Sequence, residues 1–228
     1  MPKYVIPQPE QPSLPVRGTD DRFPVRRIYC IGRNYADHAI EMGHNPDKEP
    51  PFFFQKNGDN VDSSGEFPYP TQTNDVHFEV EMIVALKSGG VNISEAEAMK
   101  HVFGYGVGLD MTRRDLQGEM KKMGRPWEIG KAFERSAPMG ALTPAIETGH
   151  LDSGAISLTV NGDERQKSDL SQMIWKVPEQ VAYLSRFYDI AGGDLIMSGT
   201  PAGVGPIQKG DVMECRVEGL DPVIVTVV

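Results

Sequence analysis

Cysteine is nearly absent, with two among 228 residues, Cys30 and Cys215. That excludes a disulfide framework and a cysteine-based metal site, and a reducing cytoplasm is the expected compartment. Long apolar runs are missing as well. No stretch approaches the roughly 20 apolar residues of a membrane-spanning helix, so no membrane partner is expected. Basic charge is in deficit: 23 Lys and Arg stand against 32 Asp and Glu, a net charge of −9. A phosphate backbone requires a basic surface, so nucleic acid is not an expected partner. The pairs Arg113-Arg114 and Lys121-Lys122 are short and flanked by acids. The first sixteen residues carry five prolines and no apolar run, which does not read as a signal peptide.

What is present suits an ordinary soluble chain, 39% apolar and 24% charged. The length suits one large domain with a proper core. Residues 1–24 read as an extended Pro-rich arm, packed on the body or on a partner subunit. Residues 25–228 read as a single domain. Its pattern is many short strands with few helices between Gly/Pro turns, predicting a β-rich sandwich or roll. Predicted strands include Arg27–Ile31, Pro51–Gln55, Phe103–Leu109, Asp194–Met197, Met213–Val217 and Val223–Val227. Asn161-Gly162 between apolar runs signals a hairpin. Predicted helices cover Asn34–Met42, with Asn34 as cap and Gly43 as stop, Asn92–Val102 with a Ser94/Glu97 capping box, and Met173–Tyr188. Gly43–Pro51 reads as a mobile connection beside a lid helix.

The stretch with most chemistry is Thr73–Val84. From His77 it alternates, so one strand would carry His77, Glu79 and Glu81 on one face. Two carboxylates so placed repel unless a cation sits between them. Asp110, ending the Tyr105–Leu109 strand, is a candidate third. Three carboxylates without a His or Cys cluster suit Mg²⁺ or Mn²⁺. His38 and Glu41 share a helical face, either as a surface ion pair or as an imidazole made basic by a carboxylate. Asp110, Arg114 and Gln117 fall at i, i+4 and i+7 of a predicted helix over Asp110–Met123. Arg and Gln beside a metal could hold a carboxylate and a carbonyl, and an Arg–Asp surface pair is the alternative. Lys131 is a lone Lys among apolar neighbours, and an exposed position is the simpler reading. Ser198–Gly205, SGTPAGVG, lacks a P-loop Lys and does not match G-x-G-x-x-G, so nucleotide binding is rejected.

CIGRNYADHAIEM, HFEVEM, GLDMTRRDLQ, GRPWEIGKAFERSAP and LIMSGTPAGVGP, in this order, resemble the fumarylacetoacetate hydrolase superfamily. The likeness runs from about Arg26 to the C-terminus and is nearest to the acylpyruvate hydrolases, among them those acting on fumarylpyruvate. It implies an α+β, β-rich fold, a mixed β-sandwich roll of the fumarylacetoacetate hydrolase C-terminal-domain type, usually a homodimer. It implies Mg²⁺ or Mn²⁺ on Glu79, Glu81 and Asp110. It implies a water-activating dyad of His38 and Glu41, with Lys131 as a further catalytic residue. Arg114, Gln117, Thr200 and Lys56 are implied on the substrate side, though nothing assigns Lys56 a role. The implied activity is cleavage of a C–C bond in a small-molecule 2,4-diketo acid, fumarylpyruvate giving fumarate and pyruvate. Oxaloacetate decarboxylation and hydroxymuconate-type isomerisation follow the same enolate logic. A non-catalytic metal-binding or ligand-binding protein is the alternative of another class. For a distal carboxylate on the acyl group, Arg33, Lys56 and Arg113 are the candidate cations.

Overall fold

The computed structural model describes residues 3–41 and 51–228. The fold is mixed α+β and rich in strands, as expected. The two largest sheets pack face to face. One has six strands in the order Thr143–Pro144, Val102–Leu109, Val80–Leu86, Leu195–Met197, Arg27–Gly32 and Phe52–Asn57. Only Leu195–Met197 and Arg27–Gly32 pair parallel in it; the other neighbours are antiparallel. The other sheet has five strands, ordered Asp163–Asp169, Ala155–Val160, Val212–Val217, Val223–Val227 and Glu66–Phe67. Alternating residues of both, such as Met82, Val84, Tyr105 and Val107 against Ile156, Leu158, Met213 and Cys215, fill the main core. The expected Asn161-Gly162 hairpin is present, with φ of 53° and 87° at the two turn residues. Asn and Gly are the residues that tolerate such angles.

The six-stranded sheet is covered on its other face too. Every residue of Val80–Leu86 is buried. Ile83 and Ala85 point away from the main core and join a second cluster with Ile28, Cys30, Leu195 and Met197. Leu14, Val16, Phe23 and Val25 complete it. The first three come from the stretch read as an arm. Ser13–Pro15 pairs antiparallel with Arg22–Pro24, and this ribbon lies on the body as part of its core. Glu81 has the same parity as Ile83 and Ala85, so it faces this side of the sheet and not the sandwich interior.

Some local expectations are corrected. The predicted strand through His77, Glu79 and Glu81 breaks at Glu79. Val76–Phe78 belongs to a three-stranded sheet with Thr112–Arg113 and Gly205–Pro206, while Val80–Leu86 belongs to the large one. Alternation cannot report such a change of sheet, because both halves keep period two. The helix predicted from Asp110 starts at Arg114, so Asp110 lies outside it. Ser94 stands at the N-cap of Glu95–Ala98 without a side-chain capping bond. Asn34 uses its side chain on Trp175 and on the Ser198 carbonyl, and the helix after it runs Ala36–Glu41. The expected stop at Gly43 and the Gly43–Pro51 connection fall outside the described residues, save Pro51. Among the described residues, no helix is long and apolar enough to cross a membrane.

The N-terminal ribbon offers a direct test of its place in the core. Leu14 is fully buried. Leu14→Ala should therefore cost about 2–5 kcal/mol of unfolding free energy in a urea titration. A cost under roughly 0.5 kcal/mol would instead mark an arm that folds apart from the body.

Candidate active site

The break at Glu79 creates the site. Val80 pairs with Leu109 where two inner strands of the large sheet end, so Glu79 and Asp110 leave the sheet side by side. The Asp110 amide donates to the Glu79 carbonyl at 2.9 Å. Glu81 sits two residues into the strand, opposite Gly108. All three carboxylates are buried, and one oxygen of each lies within 4.8 Å of the others. His77 is not among them; it is half-buried and bonded to Asp75 at 2.9 Å.

Three cations converge from three other elements. Arg114, first residue of the Arg114–Lys122 helix, pairs with Glu79. Lys131, at the end of the short Glu128–Lys131 helix, donates to Glu79 at 2.9 Å, to Asp110 at 2.7 Å and to the Thr112 hydroxyl at 2.6 Å. Lys56, on the edge strand Phe52–Asn57, lies 2.9 Å from Asp110 Oδ1 and donates to the carbonyls of Met111 and Lys131. Both lysines are buried, against the exposed position expected for Lys131. Lys56 is not on the wall of the cleft above the acids. Lys56 lies beneath, against Asp110 and the Met111 and Lys131 carbonyls. Lys131 does line the cleft, with its ammonium held by two carboxylates and a hydroxyl.

The two glutamates diverge. Burial alone would raise Glu79, but Lys131 and Arg114 outweigh it and hold the carboxyl well below the usual range. Burial pushes Glu81 well above that range, and repulsion from Asp110 and Glu79 adds to it. Among the described residues no cation pairs with Glu81; the Gly199 amide donates to it at 2.7 Å. Asp110 Oδ1 is also buried without an aligned hydrogen-bond donor. One uncompensated carboxylate, one open oxygen lone pair and an all-oxygen donor set fit Mg²⁺ or Mn²⁺.

Above the acids, a cleft of about 480 Å³ including its open mouth is lined by His38, Arg114, Gln117 and Thr200. Further walls come from Ile31, Gly32, Phe52, Phe54 and Trp127, with Arg33 and Lys121. His38 is 6% exposed, and its Nδ1 meets Glu41 at 3.0 Å. A carboxylate on Nδ1 holds the proton there and leaves Nε2 as the acceptor. Glu41 is held in turn by the Gly203 amide, at 3.2 and 3.3 Å from its two oxygens. Arg114 also donates to Gln117 Oε1 at 2.7 Å. This leaves the Gln117 amide NH₂ without a protein acceptor among the described residues, and Arg114 Nε is a buried donor without a partner. Two unsatisfied donors beside a cation site suit a carboxylate. Of the three cations considered for a distal carboxylate, Arg33 alone lines the cleft; Arg113 instead stacks on Phe133 at 4.3 Å. Sequence reasoning missed Gly199, Gly203, Asn34 and Gln166, whose backbone or amide groups act only once the Ser198–Gly205 loop is folded against them.

The family model described as fumarylacetoacetate (FAA) hydrolase C-terminal matches residues 27–228. A fumarylpyruvate hydrolase from Pseudomonas aeruginosa, solved in complex with Mn²⁺ and pyruvate, is 52% identical with a TM-score of 0.97, covering 99% of each chain. A fumarylpyruvate hydrolase of Ralstonia sp is 40% identical over 82% of this chain and 98% of its own. Oxaloacetate tautomerase YcgM of Escherichia coli strain K12 is also 40% identical, over 86% of this chain and 90% of its own.

Glu81→Gln keeps an acceptor for the Gly199 amide and removes the uncompensated charge. The metal-free variant should melt no lower than wild type, while the rise in Tm that Mn²⁺ gives wild type should be lost. A variant that melts lower and gains as much from Mn²⁺ would contradict this account of the site.

Proposed function

From the premise that this chain belongs to the fumarylacetoacetate hydrolase C-terminal family, we propose that it hydrolyses the C–C bond of a 2,4-diketo acid, fumarylpyruvate being the favoured substrate. The observation that carries the reading is the His38–Glu41 dyad poised over the acidic triad in one cleft. Decarboxylation and tautomerisation of oxaloacetate need no attacking water. A buried imidazole with a dedicated carboxylate partner is what water activation requires. The oxaloacetate tautomerase relative keeps the second reading in play, and the substrate tests below separate the two.

Glu79, Glu81 and Asp110 would hold Mg²⁺ or Mn²⁺, whose chemistry is electrophilic stabilisation of the negative charge that develops on the keto acid. Arg114 and Gln117 bind the C1 carboxylate with the donors that the protein leaves unsatisfied. His38 Nε2 removes a proton from water as the oxygen attacks the C4 carbonyl. The C3–C4 bond then breaks. Its electron pair passes to C3 and is delocalised as pyruvate enolate, while C4 leaves as the new carboxylic acid. The proton held on His38 returns to C3, giving pyruvate. Glu41 stabilises the imidazolium between these steps, and Lys131 keeps Glu79 and Asp110 ionised and in place. Arg33, stacked on Phe52 at 4.8 Å along the cleft wall, supplies positive charge for the distal carboxylate of a fumaryl group.

A spectrophotometric assay with Mn²⁺ tests the reading. Fumarylpyruvate should be consumed with pyruvate and fumarate formed in equal amounts. His38→Ala should lower kcat by about 10²–10⁴-fold while Mn²⁺ still raises Tm. Turnover of oxaloacetate but of no acylpyruvate would move the assignment to the oxaloacetate enzymes.

Arg33 has a φ of 57°, a conformation in which Asn is among the better tolerated residues. Arg33→Asn thus removes the charge with little backbone strain. It should raise KM for fumarylpyruvate by about 10-fold and leave acetylpyruvate, which has no distal carboxylate, nearly unchanged. Equal effects on both would place the distal contact elsewhere.

A further inference from the structure

Gln166 is a fully buried polar residue in Asp163–Asp169, an edge strand whose other residues are exposed or half-buried. It belongs to the five-stranded sheet, yet its side chain reaches the catalytic cleft's supporting loop. Its Oε1 accepts the Val80 amide proton at 3.0 Å. Its Nε2 donates to the Pro201 carbonyl at 2.7 Å and to Thr200 Oγ1 at 2.9 Å. These partners fix which way the amide faces. The Val80 N–H can only donate and the Pro201 carbonyl can only accept, so the nitrogen must lie on the loop side.

Thr200 is constrained in consequence. Its hydroxyl oxygen accepts an N–H, and its own proton must point elsewhere. Among the described residues no group accepts that proton, and Thr200 lines the cleft. We propose that Gln166 is a positioning residue that fixes the Thr200 hydroxyl as a hydrogen-bond donor to an oxygen of the bound keto acid. A lone hydroxyl can donate or accept and turns to suit its surroundings. With one lone pair engaged by the amide, the rotor keeps few orientations, and the cleft is where an acceptor arrives. The same amide pins Val80, the residue after the break at Glu79, so one side chain sets both the edge of the acidic floor and a donor on the wall. The inference rests on the proposed reading that the cleft binds a keto acid.

The test is a double-mutant cycle on the Mn²⁺-loaded protein, with two readouts: pyruvate affinity by calorimetry and kcat/KM for fumarylpyruvate. Gln166→Glu keeps an acceptor for the Val80 amide but presents an oxygen to Thr200, to which the hydroxyl would donate instead. Thr200→Val removes the hydroxyl. Each single change should weaken pyruvate binding and kcat/KM by about 10- to 100-fold, as loss of a hydrogen bond to a charged ligand does. The double variant should be no worse than Thr200→Val alone. Thr200→Ser should be near wild type while Gln166 is present. Should Gln166→Glu not fold, Gln166→Met enters the same cycle. Additive losses, or a Gln166 effect that persists undiminished in the Thr200→Val background, would overturn the inference while wild type still binds pyruvate. Wild type that neither binds pyruvate nor turns over fumarylpyruvate would overturn the parent reading, and this inference with it.

Discussion

Compensation of buried charge is the constraint on which the rest of this structure depends. Three carboxylates lie buried at the floor of the cleft, and ionised groups so placed are tolerated only when paired. Arg114, Lys131 and Lys56 answer them, each delivered by a different element, so several parts of the fold must be assembled before the site is electrically acceptable. The pairing is uneven. Among the described residues, Glu79 and Asp110 receive cations and Glu81 receives a backbone amide alone. With formal charges of three on each side, a divalent cation would leave this cluster of acids and bases at about +2. A diketo acid with two carboxylates matches that surplus, which links the charge pattern to the class of ligand proposed.

The Ser198–Gly205 stretch serves as a junction. The Gly199 amide holds Glu81, the Gly203 amide holds Glu41, and Asn34 at the entry to the His38 helix bonds the Ser198 carbonyl. One loop therefore sets the distance between the acidic floor and the dyad above it. Gly203 has a φ of 96°, and a Cβ there would run into the Arg165 carbonyl oxygen. At Gly203 the loop and the Asp163–Asp169 strand thus meet backbone to backbone, with no room for a side chain at that position.

Much of this was legible in the sequence, for reasons that differ by residue. The β-rich class, the closing strands and the Asn161-Gly162 hairpin follow from local periodicity and turn chemistry. The triad and the dyad stood out because long motifs around them resemble a known family; their spacings alone are equally those of solvated faces and surface ion pairs. The sheet change at Glu79 was not readable, since a strand that switches partners keeps its alternation. The start of the helix at Arg114 was missed because helical spacing from Asp110 is equally satisfied by a residue just outside the helix. The burial of Lys131 was not readable from its neighbours, because isolated lysines are usually exposed and only the folded chain shows the acids that hold it inside. Gln166 gave no signal, being one polar residue in a polar strand whose inward turn depends on a loop 35 residues away.

The packing of Gly203 against Arg165 has a consequence for how such a chain can diversify. Where backbone meets backbone, few substitutions are admissible, and the reacting end of the cleft inherits that rigidity. The far walls, built from side chains such as those of Phe52, Trp127 and Lys121, meet no such backbone contact. Substitutions should therefore accumulate at the rim of the cleft sooner than beside the acids. The molecule separates its inheritable novelty from its chemistry by geometry alone.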